Sequence, residues 1–578
     1  MATKPTYTTS QITTQLTTSW GGSFTGYQFT WVSPSSTPIT YSINTSTPTN
    51  SGVVPGEGGA SLVSMTATQV ATAHLAFQLW ADLMAKPLVE STSPAANITL
   101  DYSSNTGGST YTVPFGSVNT ATKTVSLGAE QIWMSSAWAT NADSGMALGA
   151  YGLVTMIHEI GHALGLSHPG AYNAGTGGTI TYATNAVFAQ DNRQYTVMSY
   201  FGGYLPGSGW QQDGTTLTYI YPQTPMVYDI AAIQAKYGAN TTTRTENTTY
   251  GFHSTVVGIE AAIYDFNINK TPILTIWDAG GIDTLDLSGS NANQNIDLNP
   301  GAYSSVDGMT NNVAIAFGAI IEQAIGGSGN DTLTGGNTGT LLDGGIGNDL
   351  YIIKLAGDHL TTNLIQDSGG TNLSGGKDEI RFTSTVASTL VLNSTDTGIE
   401  LVSIGTGTAA TAVTTGTTAL NVDASAVKTG LTIVGNAGNN ILIGGQGGDT
   451  IIGGAGKDTI TGGSGADYFV FNAALNASTN LDLIIDFQNG IDHLQLSKSI
   501  FKSFSNTTVL SSTQFYENTT TSTVAANSAS DYLIYMYKTG GLYYDADGNK
   551  ATSSPIEIAV IGSSVHPHFA LTDIQLVA

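Results

Sequence analysis

Cysteine is absent from the 578 residues, and with it go disulfides, thiolate catalysis and cysteine-ligated zinc. Charge is scarce as well: Asp, Glu, Lys and Arg make up 10% of the chain, against about 25% in an ordinary domain. The shortage is one-sided, with 16 Lys and Arg facing 41 Asp and Glu for a formal net charge of −25. Such a chain repels phosphate backbones and anionic lipid surfaces, which argues against nucleic acid and membrane partners. No apolar run approaches the roughly 18 residues of a spanning helix. The opening MATKPTYTTSQITTQ also lacks a basic segment followed by an apolar one. The expectation is a soluble protein with no membrane insertion and no N-terminal secretion signal.

Glycine is plentiful instead, at 70 residues, and Ser, Thr and Asn abound, a composition that favours turns and strands. Of 30 Asp, 24 follow Phe252, so the C-terminal half needs cations. At about 100 to 200 residues per domain, the length suggests roughly three or four domains. TATQVATAHLAFQLWADLM predicts a helix: Thr66 and Gln69 have capping-box spacing, and Val70, Ala73, Phe77, Trp80 and Met84 recur on one face. A second helix pattern runs through MALGAYGLVTMIHEIGHALG. A third runs through TPMVYDIAAIQAKYG, with Thr224 as cap, Pro225 in the first turn and Gly238 at the stop. ITYSI and NITLDY read as strands.

Beyond residue 240 the helical period gives way to nine-residue blocks. GGSGNDTLT, GGNTGTLLD and GGIGNDLYI lie between 326 and 352; GNAGNNILI, GGQGGDTII, GGAGKDTIT and GGSGADYFV run from Gly435 to Val470. Residues 354–430 carry no such blocks and read as inserted β-structure. The remainder alternates apolar and polar positions, as strands do. The expected segments are therefore 1–240, 241–353, 354–430, 431–471 and 472–578.

TMIHEIGHALGLSHPG, from Thr155 to Gly170, places three of the chain's nine His and one Glu within eleven positions. On a helix, His158 and His162 share one face about 5 to 6 Å apart, so two imidazoles can hold one metal. Gly165 suits a left-handed cap that turns the chain and brings His168 back to the same point. Three nitrogens leave a fourth zinc position open, the arrangement of a catalytic rather than a structural site. Glu159 sits beside that position and can take the proton as water attacks a polarised carbonyl.

In the repeat G-G-x-G-x-D-x-U-x, glycine permits tight turns and close carbonyls, Asp supplies charge, and U is an inward apolar side chain. Calcium accepts six to eight oxygens of this kind. If two repeats make one coil of a parallel β-roll, repeats n and n+2 stack and share an ion. That pairs Asp331 with Asp349, Asp449 with Asp467, and Asn440 with Asp458. Leu333, Leu342, Tyr351, Leu442, Ile451, Ile460 and Phe469 then form a thin core. DADG at 545–548 lacks the Glu of an EF-hand loop and reads as an ordinary turn.

HEIGHALGLSH has the metzincin pattern H-E-x-x-H-x-x-G-x-x-H, and YTVMSYF looks like its Met-turn. Pro169 after the third His, with Met198-Ser199-Tyr200, resembles the serralysin branch of bacterial metalloproteases. The resemblance extends through YNAG, VYDIAAIQAKYGAN, TRTENTTYGF and WDAGGIDTLDLSG into the repeats, leaving 354–430 outside it. It implies an α+β metzincin catalytic domain followed by an all-β parallel β-roll (RTX) domain with an inserted β region. It also implies an endopeptidase with one catalytic zinc on His158, His162 and His168 and Glu159 as general base. Met198 would be the apolar floor beneath the metal, and Tyr200 a switchable ligand that helps bind the oxyanion.

The resemblance further implies several structural calcium ions, on Asp331, Asp349, Asp449, Asp458 and Asp467. One more calcium loop would use Asp278, Gly280 and Asp283 with carbonyls of Arg244, Glu246 and Thr248. Protein or peptide substrates would bind extended against an edge strand. A C-terminal signal ending DIQLVA would pass the chain, a monomer, through a type I secretion apparatus to the extracellular space. Ala171 departs from the Asp common in the family at that position. A rival reading is a surface-layer or adhesive calcium protein with a vestigial or self-processing protease part, motivated by 354–430. A lipase is excluded because GGSGN and GGSGA do not match G-x-S-x-G.

Overall fold

A computed structural model of the chain describes residues 4–45, 62–93, 95–104, 111–173, 179–202, 220–336, 339–359, 364–369, 376–505, 509–520, 523–550 and 552–578. It divides into two compact units, Met1–Gln323 and Ala324–Ala578. The first thus takes in residues 241–323, which composition alone groups with the β-roll.

In the first unit, five strands run parallel in the order β1 (Gln28–Thr30), β6 (Thr124–Ser135), β4 (Ile98–Ser103), β2 (Ile39–Ile43), β3 (Leu88–Glu90). The sixth, β5 (Tyr111–Asn119), pairs antiparallel with β6 alone. The expected strands ITYSI and NITLDY are β2 and β4. Alternation sets their faces: Ile98, Leu100 and Tyr102 are buried on one side of β4.

Helix α2 (Ala67–Ala81) begins with the expected box, Thr66 and Gln69 each accepting the other's backbone N–H. It buries Ala73, Phe77 and Trp80. Helix α1 (Thr9–Thr18) carries a second capping box, Thr8 with Gln11, and buries only Ile12 and Leu16. Two apolar residues in a Thr-rich stretch give too weak a period to announce a helix. Helix α3 (Tyr151–Ala163) is buried almost all round, and a short α4 (Tyr182–Asn185) follows.

The start of α5 (Val227–Tyr237) corrects the expected cap. The helix begins after Met226, whose N–H is taken by the Asp229 carboxylate at 2.9 Å. Thr224 instead accepts the N–H of Thr275. Gly238 does end the helix, at φ +77°.

The second unit is built mainly from two ladders of short strands, parallel except where Gly541–Tyr544 pairs antiparallel with Leu533–Met536 and with Ile556–Ile561; Leu341–Asp343 and Leu364–Ile365 pair outside both. The first runs Thr332–Thr334, Leu350–Ile353, Glu379–Phe382, Leu401–Ile404, Thr432–Val434, Thr450–Ile452, Tyr468–Phe471, His493–Ser497 and Ile574–Val577. The second runs Thr389–Val391, Asn421–Asp423, Ile441–Ile443, Thr459–Thr461, Asp482–Ile484 and Ile556–Ile561, then continues through three further strands between 515 and 544. Thr432 pairs with Thr450 and Thr450 with Tyr468, so each coil consumes two repeats. Leu442 and Ile460 face one another across the second ladder, as do Ile451 and Phe469 across the first, all within 3% of full burial.

Residues 354–430 do not interrupt this architecture. In the first ladder their strands Glu379–Phe382 and Leu401–Ile404 lie between the first and second arrays; in the second, Thr389–Val391 and Asn421–Asp423 begin the ladder that the second array continues, while Leu364–Ile365 pairs with Leu341–Asp343 of the first array in a separate sheet. Ile380, Leu390, Val402 and Val422 are fully buried and take the inward apolar positions. What the coil requires is one such residue per strand; the Gly-Asp turn is one way of joining strands and not the only one.

Candidate metal and catalytic centre

Helix α3 ends in a Schellman turn. Gly165 N–H donates to His162 O at 2.8 Å and Leu166 N–H to Gly161 O at 2.9 Å, with Gly165 at φ +87°. A Cβ at Gly165 would stand 2.1 Å from the Phe29 carbonyl oxygen, so backbone hand and space both demand glycine. The last carbonyls are capped by side chains: Trp31 Nε1 donates to Ala163 O and Tyr237 Oη to Leu164 O. Thus fixed, the chain doubles back and presents His168 to the two His of the helix.

The His168 Nε2 atom lies 3.1 Å from His162 Nε2 and 3.2 Å from His158 Nε2. Each ring's Nδ1 faces a carbonyl instead: Val197 O for His158, Leu166 O for His162 and Tyr172 O for His168, at 2.7 to 2.8 Å. With Nδ1–H donated there, all three Nε2 lone pairs converge. Burial holds His162 down at about 4 and the other two well below the usual imidazole range, so the rings are neutral at pH 7. Three nitrogens bound tetrahedrally at about 2.05 Å lie about 3.3 Å apart. The donor set therefore fits zinc.

Glu159, on the same helix, is buried, and burial raises its carboxyl to about 7. The Thr112 hydroxyl on β5 opposes that rise by donating to Oε2 at 2.8 Å. Met198 is fully buried, and its sulfur lies so close to Gly161 that a Cβ there would meet it at 2.6 Å. Tyr200 is half-buried, its ring edge-on to His168 at 4.4 Å between centroids.

Several supporting residues escaped sequence reasoning because they act through the backbone. The buried Asp229 accepts from Thr196 Oγ1, Val197 N and Met226 N, at 2.5, 2.7 and 2.9 Å. It ties α5 to the turn that carries Met198 and orients His158 through Val197 O. Asp191 accepts the Tyr172 and Ser199 hydroxyls. The capping pattern around TPMVYD was the one signal that could have pointed to Asp229, through its place three residues after Met226.

The expected calcium residues fall in two places. Asp278 and Asp283 are buried; Asp283 Oδ1 accepts Thr248 N–H at 2.7 Å and Asp278 Oδ1 accepts Gly280 N–H at 2.9 Å. A Cβ on Gly281 would stand 2.5 Å from Glu246 O and 2.8 Å from Asp283 Oδ1, so that carbonyl and carboxylate are neighbours. The Thr248 carbonyl accepts the Thr284 N–H. The Arg244 guanidinium pairs with Asp82 and Glu260.

In the roll, each acid takes the N–H of its counterpart one coil back: Asp331 N to Asp349 Oδ1, Asn440 N to Asp458 Oδ1, and Asp449 N to Asp467 Oδ1, all at a separation of 18 residues. The second oxygens of Asp283, Asp349, Asp458 and Asp467 are buried without a hydrogen-bond partner. Carboxylate oxygens left this way are suited to a cation.

A family profile described as peptidase M10 serralysin C terminal matches residues 239–423, and one for the RTX calcium-binding nonapeptide repeat (4 copies) matches 434–469. The first match runs through most of the segment that the sequence resemblance left out. The chain is similar to Serralysin B of Dickeya chrysanthemi, 42% identical over 279 residues, covering 47% of this chain and 54% of that protein. It is similar to metallopeptidase AprA of Pseudomonas marginalis, 36% identical over 344 residues, covering 59% and 67%. The serralysin of Proteus mirabilis is 46% identical over 195 residues, covering 34% and 38%. The chain spans about half the length of Serralysin B and of the serralysins of Photorhabdus laumondii and Photorhabdus luminescens.

Proposed function

Because the chain belongs to the serralysin family of metalloproteases with RTX repeats, we propose that it is a secreted zinc-dependent endopeptidase acting on extracellular proteins. The observation that carries this reading is the convergence of three neutral Nε2 atoms beside a buried glutamate on one helix. Zinc, when bound, supplies a Lewis acid that polarises the scissile carbonyl and acidifies water.

The protein's own groups do the rest. Glu159, held near 7 by burial, accepts a proton from the attacking water and returns it to the leaving amine. Thr112 fixes one carboxylate oxygen and leaves the other for that exchange. The Tyr200 phenol, beside His168, donates to the oxyanion as it develops. Met198 packs under the centre and keeps its floor apolar. Among the described residues β5 pairs with β6 alone, and it carries Thr112, so an extended substrate pairing along its other edge would bring its peptide bond to Glu159.

The roll, in this reading, takes up calcium outside the cell after passage through a type I secretion apparatus. Among the described residues no helix is long and apolar enough to cross a membrane. The rival adhesive reading was motivated by the inserted segment 354–430; the first ladder runs through that segment from the first array to the second, which weighs against a separate module there. The test is to incubate zinc- and calcium-loaded protein with an unfolded polypeptide and map cuts by mass spectrometry. New termini that vanish in the Glu159→Ala variant are expected; their absence over a range of pH would sink the proposal.

A further inference from the structure

We propose a calcium site outside the nonapeptide repeats, formed by Asp349, Asp367 and Asp378 where the first Gly-rich array gives way to the segment after it. One carboxylate oxygen from each residue lies within 4.8 Å of one from each of the others. All three are buried, at 1%, 5% and 0% exposure. Asp349 is the last acid of the first array, but Asp367 and Asp378 stand in no G-G-x-G-x-D-x-U-x block.

The carboxylates are anchored so that oxygens remain for an ion. Asp349 Oδ1 accepts Asp331 N–H at 2.6 Å and Asp378 Oδ1 accepts Asp349 N–H at 2.7 Å. Asp367 accepts the Tyr351 hydroxyl on Oδ2 at 2.8 Å and Gly369 N–H on Oδ1 at 3.0 Å. Asp349 Oδ2 and Asp378 Oδ2 are buried with no hydrogen-bond partner. Three carboxylates in so dry a setting cannot all stay ionised without a counter-charge. The anchoring amides favour the ionised form, so a cation fits better than shared protons.

Neutral oxygens are also close. A Cβ at Gly369 would overlap Gly345 O, and one at Gly376 would overlap Gly347 O, so these carbonyls abut the chain that carries Asp367 and Asp378. An all-oxygen set mixing carboxylates and carbonyls selects calcium over zinc.

The site explains how the ladder passes from repeat to non-repeat chain. The acid-to-amide bonds continue from Asp331 through Asp349 and Asp378 to Glu400, but the separations grow from 18 to 29 and 22 residues. Glycine turns no longer set the register there, and a shared ion can. The inference rests on the calcium reading of the repeats only for the identity of the ion.

The experiment uses the full chain and calcium chloride alone. Bound calcium per chain is measured by mass spectrometry of the metal, and amide exchange is followed over peptides 364–369 and 376–382 and over 441–470. Asp367→Asn/Asp378→Asn should bind one calcium fewer than wild type and exchange fast in the first region, with 441–470 still protected. Asp449→Asn/Asp467→Asn should lose calcium from the second array instead; if it binds as much as wild type, the repeat reading fails and not this one. Wild type without variants gives a second readout: protection of 376–382 should rise with calcium. Equal calcium content in the first variant, or full protection of 376–382 in excess chelator, would overturn the site whether or not the variant folds.

Discussion

Glu159 is the only acid among the residues from Thr155 to Gly170, and it touches no His of the triad among the hydrogen bonds described for that cluster. Glu159→Ala should therefore keep zinc, read by metal analysis, while peptidase turnover falls about 10²- to 10⁴-fold, the usual cost of a lost general base. Turnover like that of wild type would remove Glu159 from the mechanism. Tyr200 is a different case. Its ring lies edge-on to His168 and its proposed role belongs to the transition state, so Tyr200→Phe should lower kcat with little change in KM. A pure KM effect would move the phenol into substrate binding.

Helix α3 and the turn that carries Met198 are held from outside by two devices that contribute no ligand. Gly165 is the first. Gly165→Ala forces a Cβ into the left-handed region and against Phe29 O, costing at least about 1 to 2 kcal/mol. Thermal unfolding should shift downward, and zinc should bind more weakly because His168 depends on that turn. Asp229 is the second. Asp229→Ala leaves Val197 N and Met226 N without their acceptor, at about 1 to 3 kcal/mol for each buried group. If zinc affinity and melting temperature both stay at the wild-type level, the carboxylate is not what positions His158.

In the proposed calcium reading, protons and calcium compete for the same oxygens of the C-terminal unit. Burial raises Asp349 and Asp458 to about 8 and Asp378 and Asp482 to about 7, against about 3.9 in an unfolded chain. These folded values are raised, so the calcium-free fold binds more protons than the unfolded chain between about pH 4 and 8. The stabilisation is present in full below the unfolded value and is lost as pH rises through the folded ones. In excess chelator, melting followed by circular dichroism should therefore show a more stable roll at pH 5 than at pH 8. With calcium saturating, the order should reverse, since protonation displaces the ion. The same order under both conditions would mean that these carboxylates are not the calcium ligands.

Local and periodic signals carried well from sequence to structure. The zinc motif, the glycine that reverses the chain, the capping box at Thr66 and the nine-residue period are all contained within a few turns of chain, where spacing alone determines which side chains meet. Stacking of Asp331 on Asp349 and of Asp449 on Asp467 followed from that period. What needed the tertiary structure was every partner distant in sequence and irregular in spacing. Thr112 reaches Glu159 across 47 residues, and Asp229 reaches Val197 across 32, with no repeat to announce either. Residues 354–430 belong to the roll for the same reason. A coil is specified by where its inward residues Ile380 and Val402 land in the ladder, and variable loop lengths hide that register from a linear reading.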